Sequence, residues 1–436
     1  MNPALRVAYG AVGQLARAFA ALAPARGEKL ARSLSARRGI RDRYAAWAPI
    51  RDVSRPLLWV HAPSVGEGLQ ARVVLEGIRQ LRPDVQLAYT FFSPSAERFA
   101  QSLDVDFRDY LPFDTAGDAD AVLDALRPSA LVFSKLDLWP TLCATAHRRG
   151  VRLGMISATL ATGSSRRGSL AGSLLRDAYA LLDAVGAISP DDGQRLEALG
   201  VRRERIRVTG DTRFDQVMAR AAATTRAAPL LAPLAADRPT LVAGSTWPAD
   251  EQVLCSSWAA VRAEIPGARL IIAPHEPTPE HLEPLEAWAR QQTSPMRVAR
   301  LSAADAGTDV VVVDRTGVLG ELYALADAAF VGGGFHAAGL HSVLEPAAYG
   351  VPVAFGPMHR GSREAGLLIR ATGAASVATV DELTEILVHW LGDPVTRQAA
   401  GAAARRFVEL GAGAAERSVE MVLALLDAAQ LQPNGS

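Results

Sequence analysis

Cysteine is almost missing from this chain: Cys143 and Cys255 are the only two in 436 residues. Each sits in an apolar stretch of helical pattern. A disulfide framework and a cysteine-rich metal site are thereby excluded, and both read as core residues. Net charge is missing as well, because 46 basic residues balance 46 acidic ones, so no general affinity for a polyanion such as nucleic acid follows. The segment "ALRVAYGAVGQLARAFAALA", Ala4 to Ala23, is apolar but broken by Arg6, Gln14 and Arg17. It makes a poor spanning helix and a better interfacial one, and it lacks a convincing cleavable signal pattern. HExxH, paired Cys/His spacing, the lysine-bearing P-loop and GxSxG are all absent. His336, His341 and His359 come near one another in sequence without the spacing of a zinc site, so no metal is expected.

What is present suits a folded globular protein. Hydrophobic residues make up 49% and charged residues 21%, and the length suggests two domains of about 200 residues each. The neutral total hides an asymmetry. Residues 1–55 carry eleven basic side chains and three acidic ones, a local surplus of eight positive charges. Beside the apolar 4–23 segment, that surplus points to an anionic membrane surface, where each basic residue adds about 1 kcal/mol. The plainer reading is a helix packed on the protein itself.

From Leu57 onward, short apolar runs alternate with helical patterns. "LLWVHA", "VQLAYTFF", "SALVFSK", "RLGMISA", "AVGAIS" and "RIRVTG" read as buried strands of a parallel α/β sheet. An Ala- and Pro-rich stretch near 221–238 interrupts the pattern, which restarts with "TLVAGS", "RLIIAP", "VVVVD", "AAFVGGG" and "VPVAFG". The expected organisation is a basic helical segment over 1–50, a Rossmann-like domain over 51–220 and a second over 221–436. Ligands in such sheets bind at the carboxyl ends of strands, and two such domains are expected to face a shared cleft.

The residues just after each strand are therefore the candidates. In "HAPSVGE", Glu67 follows the first strand, with Ser64 and Gly66 before it. Two readings stay open: Ser64 and Glu67 match a capping box, and a carboxylate at the edge of the first strand suits a general base. "SKLDLWP" places Lys135 and Asp137 after another strand, two residues apart, so only a non-helical backbone turns both to one side. "GDTRFD" offers the Arg213 guanidinium to a carboxylate or phosphate, with a surface ion pair as the plainer alternative. In the second half, Gly244, Ser245 and Thr246 offer backbone and hydroxyl donors to a phosphate, and His275 ends the next strand. The glycines of "VGGGFHAAGLHSVLEPAAYGVPVAFGP" permit close approach of a ligand, and Glu345 at a helix start suits a ribose.

These motifs, in order, resemble those of bacterial 3-deoxy-D-manno-octulosonic acid (Kdo) transferases: "HAPSVGE", "TFFSPSAER", "YLPFDT", "LDLWP", "ISATL", "GDTRFDQV", "VAGSTWPADE" and "GLHSVLEPAAYGVPVAFGP". The resemblance spans nearly the whole chain. It implies a GT-B fold and inverting transfer of Kdo from CMP-Kdo, the donor substrate, to the tetraacylated lipid A precursor (lipid IVA) at the cytoplasmic face of the inner membrane, without a further cofactor. It assigns Glu67 as general base and Lys135 and Arg213 to transition-state stabilisation; Ser64, Gly66 and Asp137, next to them in sequence, are substrate-binding candidates. The family's CMP-binding positions fall on Pro274 and His275, on Thr316, Gly317 and Val318, and on Ser342, Val343, Leu344 and Glu345; Gly244, Ser245, Thr246 and His341 are substrate-binding candidates beside them. This chain departs from the common pattern: lysine replaces glutamate at 135 and arginine replaces lysine at 213, as in a subset of the family. Asp137 replaces glutamate, His275 arginine, Val318 glutamate and Ser342 asparagine. Two alternatives to this reading are a GT-B enzyme using another nucleotide sugar and a non-catalytic membrane-associated binding protein.

Overall fold

The computed structural model describes residues 29–160, 169–292 and 296–431, with 9–11, 13–15 and 18 of the N-terminal segment. The chain divides into two compact units, Met1–Asp215 with Ala412–Ser436, and Gln216–Gly411. The first unit carries strands β1 (Leu57–His61), β2 (Gln86–Phe91), β3 (Phe107–Tyr110), β4 (Ala130–Ser134), β5 (Arg152–Ala158), β6 (Ala184–Ala187) and β7 (Ile206–Val208). The second carries β8 (Thr240–Thr246), β9 (Arg269–Pro274), β10 (Val298–Arg300), β11 (Val310–Val312), β12 (Ala328–Val331), β13 (Val353–Phe355) and β14 (Ala374–Ser376). Each set forms one seven-stranded parallel sheet, in the orders β3-β2-β1-β4-β5-β6-β7 and β10-β11-β9-β8-β12-β13-β14.

The continuous apolar runs follow from burial on both faces of a parallel sheet. In the second unit, alternation sends Leu241, Ala243, Leu270 and Ile272 into one core layer and Val242, Ile271 and Val311 into the other. The sheet orders also place the function. The chain works outward from β1 to β3, then returns to start β4 on the opposite side of β1; β8 and β12 stand in the same relation. The strand ends at these reversals form the crevice in which ligands of open α/β sheets bind.

Two features differ from the expected organisation. The helix Ala414–Gln430 leaves the second half of the chain and buries Met421, Val422, Leu425 and Leu426 in the core of the first unit. Gly154 of β5 makes room for it, since a Cβ there would stand 2.6 Å from Leu425. The basic segment, in turn, is built into the same unit: helix Ile40–Trp47 buries Ile40, Tyr44 and Trp47. Arg37 is buried, donating from Nε to the Leu111 carbonyl at 2.8 Å and lying 4.1 Å over the Phe92 ring, and burial lowers its pKa to about 10. Arg51 is buried against the Leu126 carbonyl, Arg41 pairs with Asp118, and Arg43 pairs with Asp109. Four members of the basic cluster are thus engaged within the fold. The predicted interfacial helix over 4–23 lies for the most part outside the described residues; the described Tyr9 hydroxyl donates to the Asp114 carboxylate. No helix among the described residues is long and apolar enough to cross a membrane.

Candidate active site

In the first unit, β1 ends at His61, and helix α1 (Val65–Leu81) starts after Ser64. One face of α1, with Gly68, Ala71, Leu75 and Ile78, is buried, and this fixes its rotation over the sheet. Glu67 lies in its first turn. The predicted capping box is not formed: the Ser64 side chain makes no bond to a helix amide, and its hydroxyl donates instead to Oε2 of Glu67. The other oxygen, Oε1, accepts from Lys135 Nζ at 3.0 Å, with Glu67 18% and Lys135 36% exposed. Burial, the largest influence, pushes the Glu67 pKa up, but the Ser64 hydroxyl and the Lys135 ammonium together outweigh it and leave the carboxyl below its ordinary range.

Lys135 reaches this carboxylate from an unusual backbone. Its φ of 61° is left-handed, which for a residue with a Cβ costs about 1–3 kcal/mol. The surroundings enforce it. The Lys135 amide donates to Ile156 O at 2.9 Å, and the Ser134 hydroxyl donates to Glu67 O at 3.1 Å. The non-helical backbone sends Lys135 and Asp137 to different partners, Asp137 turning to His61, 3.3 Å from its Nε2. Arg213 begins helix α2 (Thr212–Ala223) and binds Asp211 through Nε at 2.9 Å and Nη2 at 2.6 Å. Asp211 and Thr212 are tied to α1, accepting from the Gln70 amide at 3.1 Å and donating to Gln70 O at 3.1 Å respectively.

In the second unit, helix α3 (Pro248–Glu264) follows β8 and helix α4 (Leu344–Ala348) follows β12. Buried Asp250, in the first turn of α3, accepts the amides of Trp247 at 2.9 Å, Gly333 at 2.7 Å and Phe335 at 3.0 Å. It clasps the glycine loop to the end of β8. The glycines of that loop make room for backbone rather than ligand: a Cβ on Gly333 would stand 2.1 Å from Gly339 O, and one on Gly334 2.4 Å from Gly356 N. Trp247 is stacked between His336 and His275, with ring centroids 4.4 Å and 4.6 Å away, and His275 stacks on His341 at 4.6 Å. Trp247 Nε1 donates to His341 Nε2 at 3.3 Å, so that nitrogen carries no proton. In keeping with this, burial first and His275 second hold the His341 pKa low. Arg220 of α2 donates to Glu345 Oε1 at 3.4 Å and to Gly317 O at 3.3 Å, joining two predicted nucleotide loops. Burial raises the Glu345 pKa, with Arg220 opposing it.

Against known proteins, the chain is 30% identical over 377 residues to the 3-deoxy-D-manno-octulosonic acid transferase of Bordetella pertussis, covering 83% of this chain and 86% of that one. The chain belongs to the Kdo transferase family. The Haemophilus influenzae Kdo transferase is 24% identical, with 85% and 87% covered, and the family model described as 3-deoxy-D-manno-octulosonic-acid transferase (kdotransferase) matches residues 34–216. In fold, the chain resembles UDP-GlcNAc 2-epimerase from Neisseria meningitidis bound to UDP-GlcNAc, at a TM-score of 0.63 and 14% identity over 85% of this chain and 100% of that one. A UDP-N-acetylglucosamine 2-epimerase from Listeria monocytogenes gives 0.62 at 13% identity, covering 86% and 97%. The architecture is GT-B, and as a Kdo transferase the protein is a glycosyltransferase.

For a Kdo transferase, the predicted residues distribute unevenly. Glu67 and Lys135 meet, with Ser64 on the same carboxylate and Gly66 exposed beside them. Arg213 is held at Asp211. Pro274 ends β9 and His275 follows it beside Thr246, whose carbonyl accepts the His275 amide at 2.9 Å. The Thr246 hydroxyl is buried and donates to Glu251, and Gly244 packs against Tyr323, so Ser245 is the half-buried member of that trio. Thr316, Gly317 and Ser342 are exposed and Val318 is half-buried, whereas the side chains of Val343 and Leu344 belong to the core. Sequence reasoning missed His61, Arg220, Trp247, Asp250 and His336. Only Asp250, three residues after a strand-end tryptophan and followed by Glu251, carried a local signal, that of an acidic helix start.

Proposed function

We propose that the protein is an inverting transferase that moves Kdo from CMP-Kdo to a hydroxyl of the lipid A precursor lipid IVA, working at the cytoplasmic face of the inner membrane. The observation that carries this reading is the Glu67 carboxylate, which is ionised, half-buried at the reversal of the first sheet, and bound to Lys135 and Ser64 instead of capping its helix. An acceptor hydroxyl takes the place of the Ser64 hydroxyl at Oε2, and Glu67 accepts its proton as the oxygen attacks the anomeric carbon; a positioned base of this kind contributes about 10²- to 10⁴-fold. Lys135 keeps the carboxylate charged until the acceptor arrives. The leaving group is CMP; the backbone donors at Gly244 to Thr246 meet the growing charge on its phosphate, and Arg213 is assigned to stabilise the transition state. The bound nucleotide is held through Pro274, His275, Thr316 to Val318 and His341 to Glu345, with Glu345 on the ribose. The apolar, arginine-bearing 4–23 segment holds the enzyme to anionic lipid.

The test is transfer from CMP-Kdo to lipid IVA in anionic vesicles, read by mass, with the protein expected to sediment with the vesicles. Glu67→Gln should lose more than tenfold in turnover while CMP, in preference to UDP or GDP, still raises its melting temperature. Near-normal turnover by that variant removes Glu67 from the chemistry. Preferential stabilisation by UDP or GDP would reassign the donor.

A further inference from the structure

We propose that His61 is a positioning residue for the transfer: its buried imidazole holds Asp137, and with it the loop from Ser134 to Pro140, in the conformation that delivers Lys135 to Glu67. The proposal rests on the reading of Glu67 as the acceptor's base. His61 closes β1 with no exposed surface, so both ring nitrogens need partners within the protein. Nδ1 lies 3.0 Å from Thr90 Oγ1 and Nε2 lies 3.3 Å from Asp137 Oδ2. A carboxylate only accepts, so Nε2 carries the proton that Asp137 receives, while Nδ1 pairs with the Thr90 hydroxyl. Thr90 in turn accepts from Trp59 Nε1 at 2.9 Å. Trp59, Thr90, His61 and Asp137 thus form one continuous chain of hydrogen bonds that ends on the Asp137 carboxylate.

Asp137 is fixed from a second side by Trp139, whose Nε1 donates to the same oxygen at 3.2 Å and whose ring stands edge-on to His61 at 6.4 Å. The left-handed Lys135 lies two residues before Asp137, anchored on its other side by the Ile156 carbonyl. A lysine keeps that backbone only where its neighbours impose it. Without the His61 link, the loop is free to relax toward negative φ, and Nζ swings away from Oε1 of Glu67. His61 therefore governs the charge partner of Glu67 without itself touching that carboxylate. Tyr89 of β2, also close to Glu67, is a buried phenol held well above its ordinary pKa by burial and then by the Glu67 charge, so among the described groups bonded to that carboxylate Lys135 is the charged partner that changes.

Two variants of the full chain separate positioning from mere packing. His61→Gln places an amide donor where Nε2 stands, and His61→Asn places one where Nδ1 stands; the asparagine leaves the larger void by one methylene and should lose more thermal stability, so the pH limb and not stability is the deciding readout. His61→Asn is expected to lose at least tenfold in kcat with little change in KM for CMP-Kdo, and the acid limb of its pH–rate profile moves to higher pH. His61→Gln should retain activity within about threefold and keep the wild-type limb. Equal losses in the two with unmoved limbs, or near-normal turnover by His61→Asn, would overturn the proposal. Should His61→Asn fail to fold, Asp137→Ala breaks the same link from its half-exposed end and is expected to move the limb likewise; an unmoved limb refutes the link. If Glu67→Gln alone keeps full transfer, the base reading falls, and a carbon-13 titration of the Glu67 carboxyl then decides the link by itself. His61→Asn raises that titration and His61→Gln leaves it, or the link is refuted.

Discussion

Glu67 is a weak base by design of its surroundings, the Ser64 hydroxyl and the Lys135 ammonium together outweighing its burial. Only Lys29 and Lys135 among the 46 basic residues are lysines, so the ammonium stands in a chain that otherwise uses arginine. A compact point charge on a flexible stem can give up one carboxylate oxygen to an incoming hydroxyl, whereas a guanidinium fork would grip both. Because Lys135 favours the charged form of Glu67, the rate should fall only as pH drops through a depressed carboxyl pKa. In Lys135→Gln that support is gone, the Ser64 hydroxyl alone opposes burial, and the acid limb of kcat/KM should begin at higher pH; an unmoved limb would mean the ion pair is incidental. Lys135→Arg should keep the acid limb low yet lose at least threefold in kcat.

At the scale of elements, the second unit depends on one carboxylate joining parts of the chain far apart in sequence. Asp250 takes three backbone amides, two of them from Gly333 and Phe335, so its removal orphans buried donors at the mouth of β8 and β12. Asp250→Ala is expected to cost about 3 kcal/mol of stability and to abolish stabilisation by CMP, checked by chemical denaturation and thermal shift. Retention of both would show the loop to be held by its glycine packing alone. The central strands were legible because burial on two faces writes an uninterrupted apolar run. Strands β3, β10 and β14 were not: each is a sheet edge, and "FRDY", "VAR" and "AAS" carry exposed or half-exposed side chains and no apolar run. For the same reason Glu67 and Lys135 were legible as separate strand-end residues, while their contact was not. It depends on a left-handed lysine that no local pattern announces. The Arg220 bridge joins Glu345 and Gly317 from a helix of which the sequence reading singled out only Arg213.

At the scale of the whole molecule, the surplus of positive charge near the start does not pass intact to the surface. Arg37 and Arg51 are spent on backbone carbonyls and Arg41 and Arg43 on aspartates, leaving a smaller set to meet anionic lipid. The other large-scale feature is the return of Ala414–Gln430 to the first unit. Val422, Leu425 and Leu426 are buried there, and each contributes about 1.5–3 kcal/mol by leaving water. A chain ending at Gly411 should therefore show one cooperative calorimetric transition, from the second unit, with the first unit binding a hydrophobic dye. Two intact transitions would contradict this. The nascent protein consequently finishes in the reverse of the order in which it is made: the unit encoded second is complete once residue 411 is free, while the unit carrying Glu67 waits with an open apolar face until the final helix emerges, the interval in which a chaperone has something to hold.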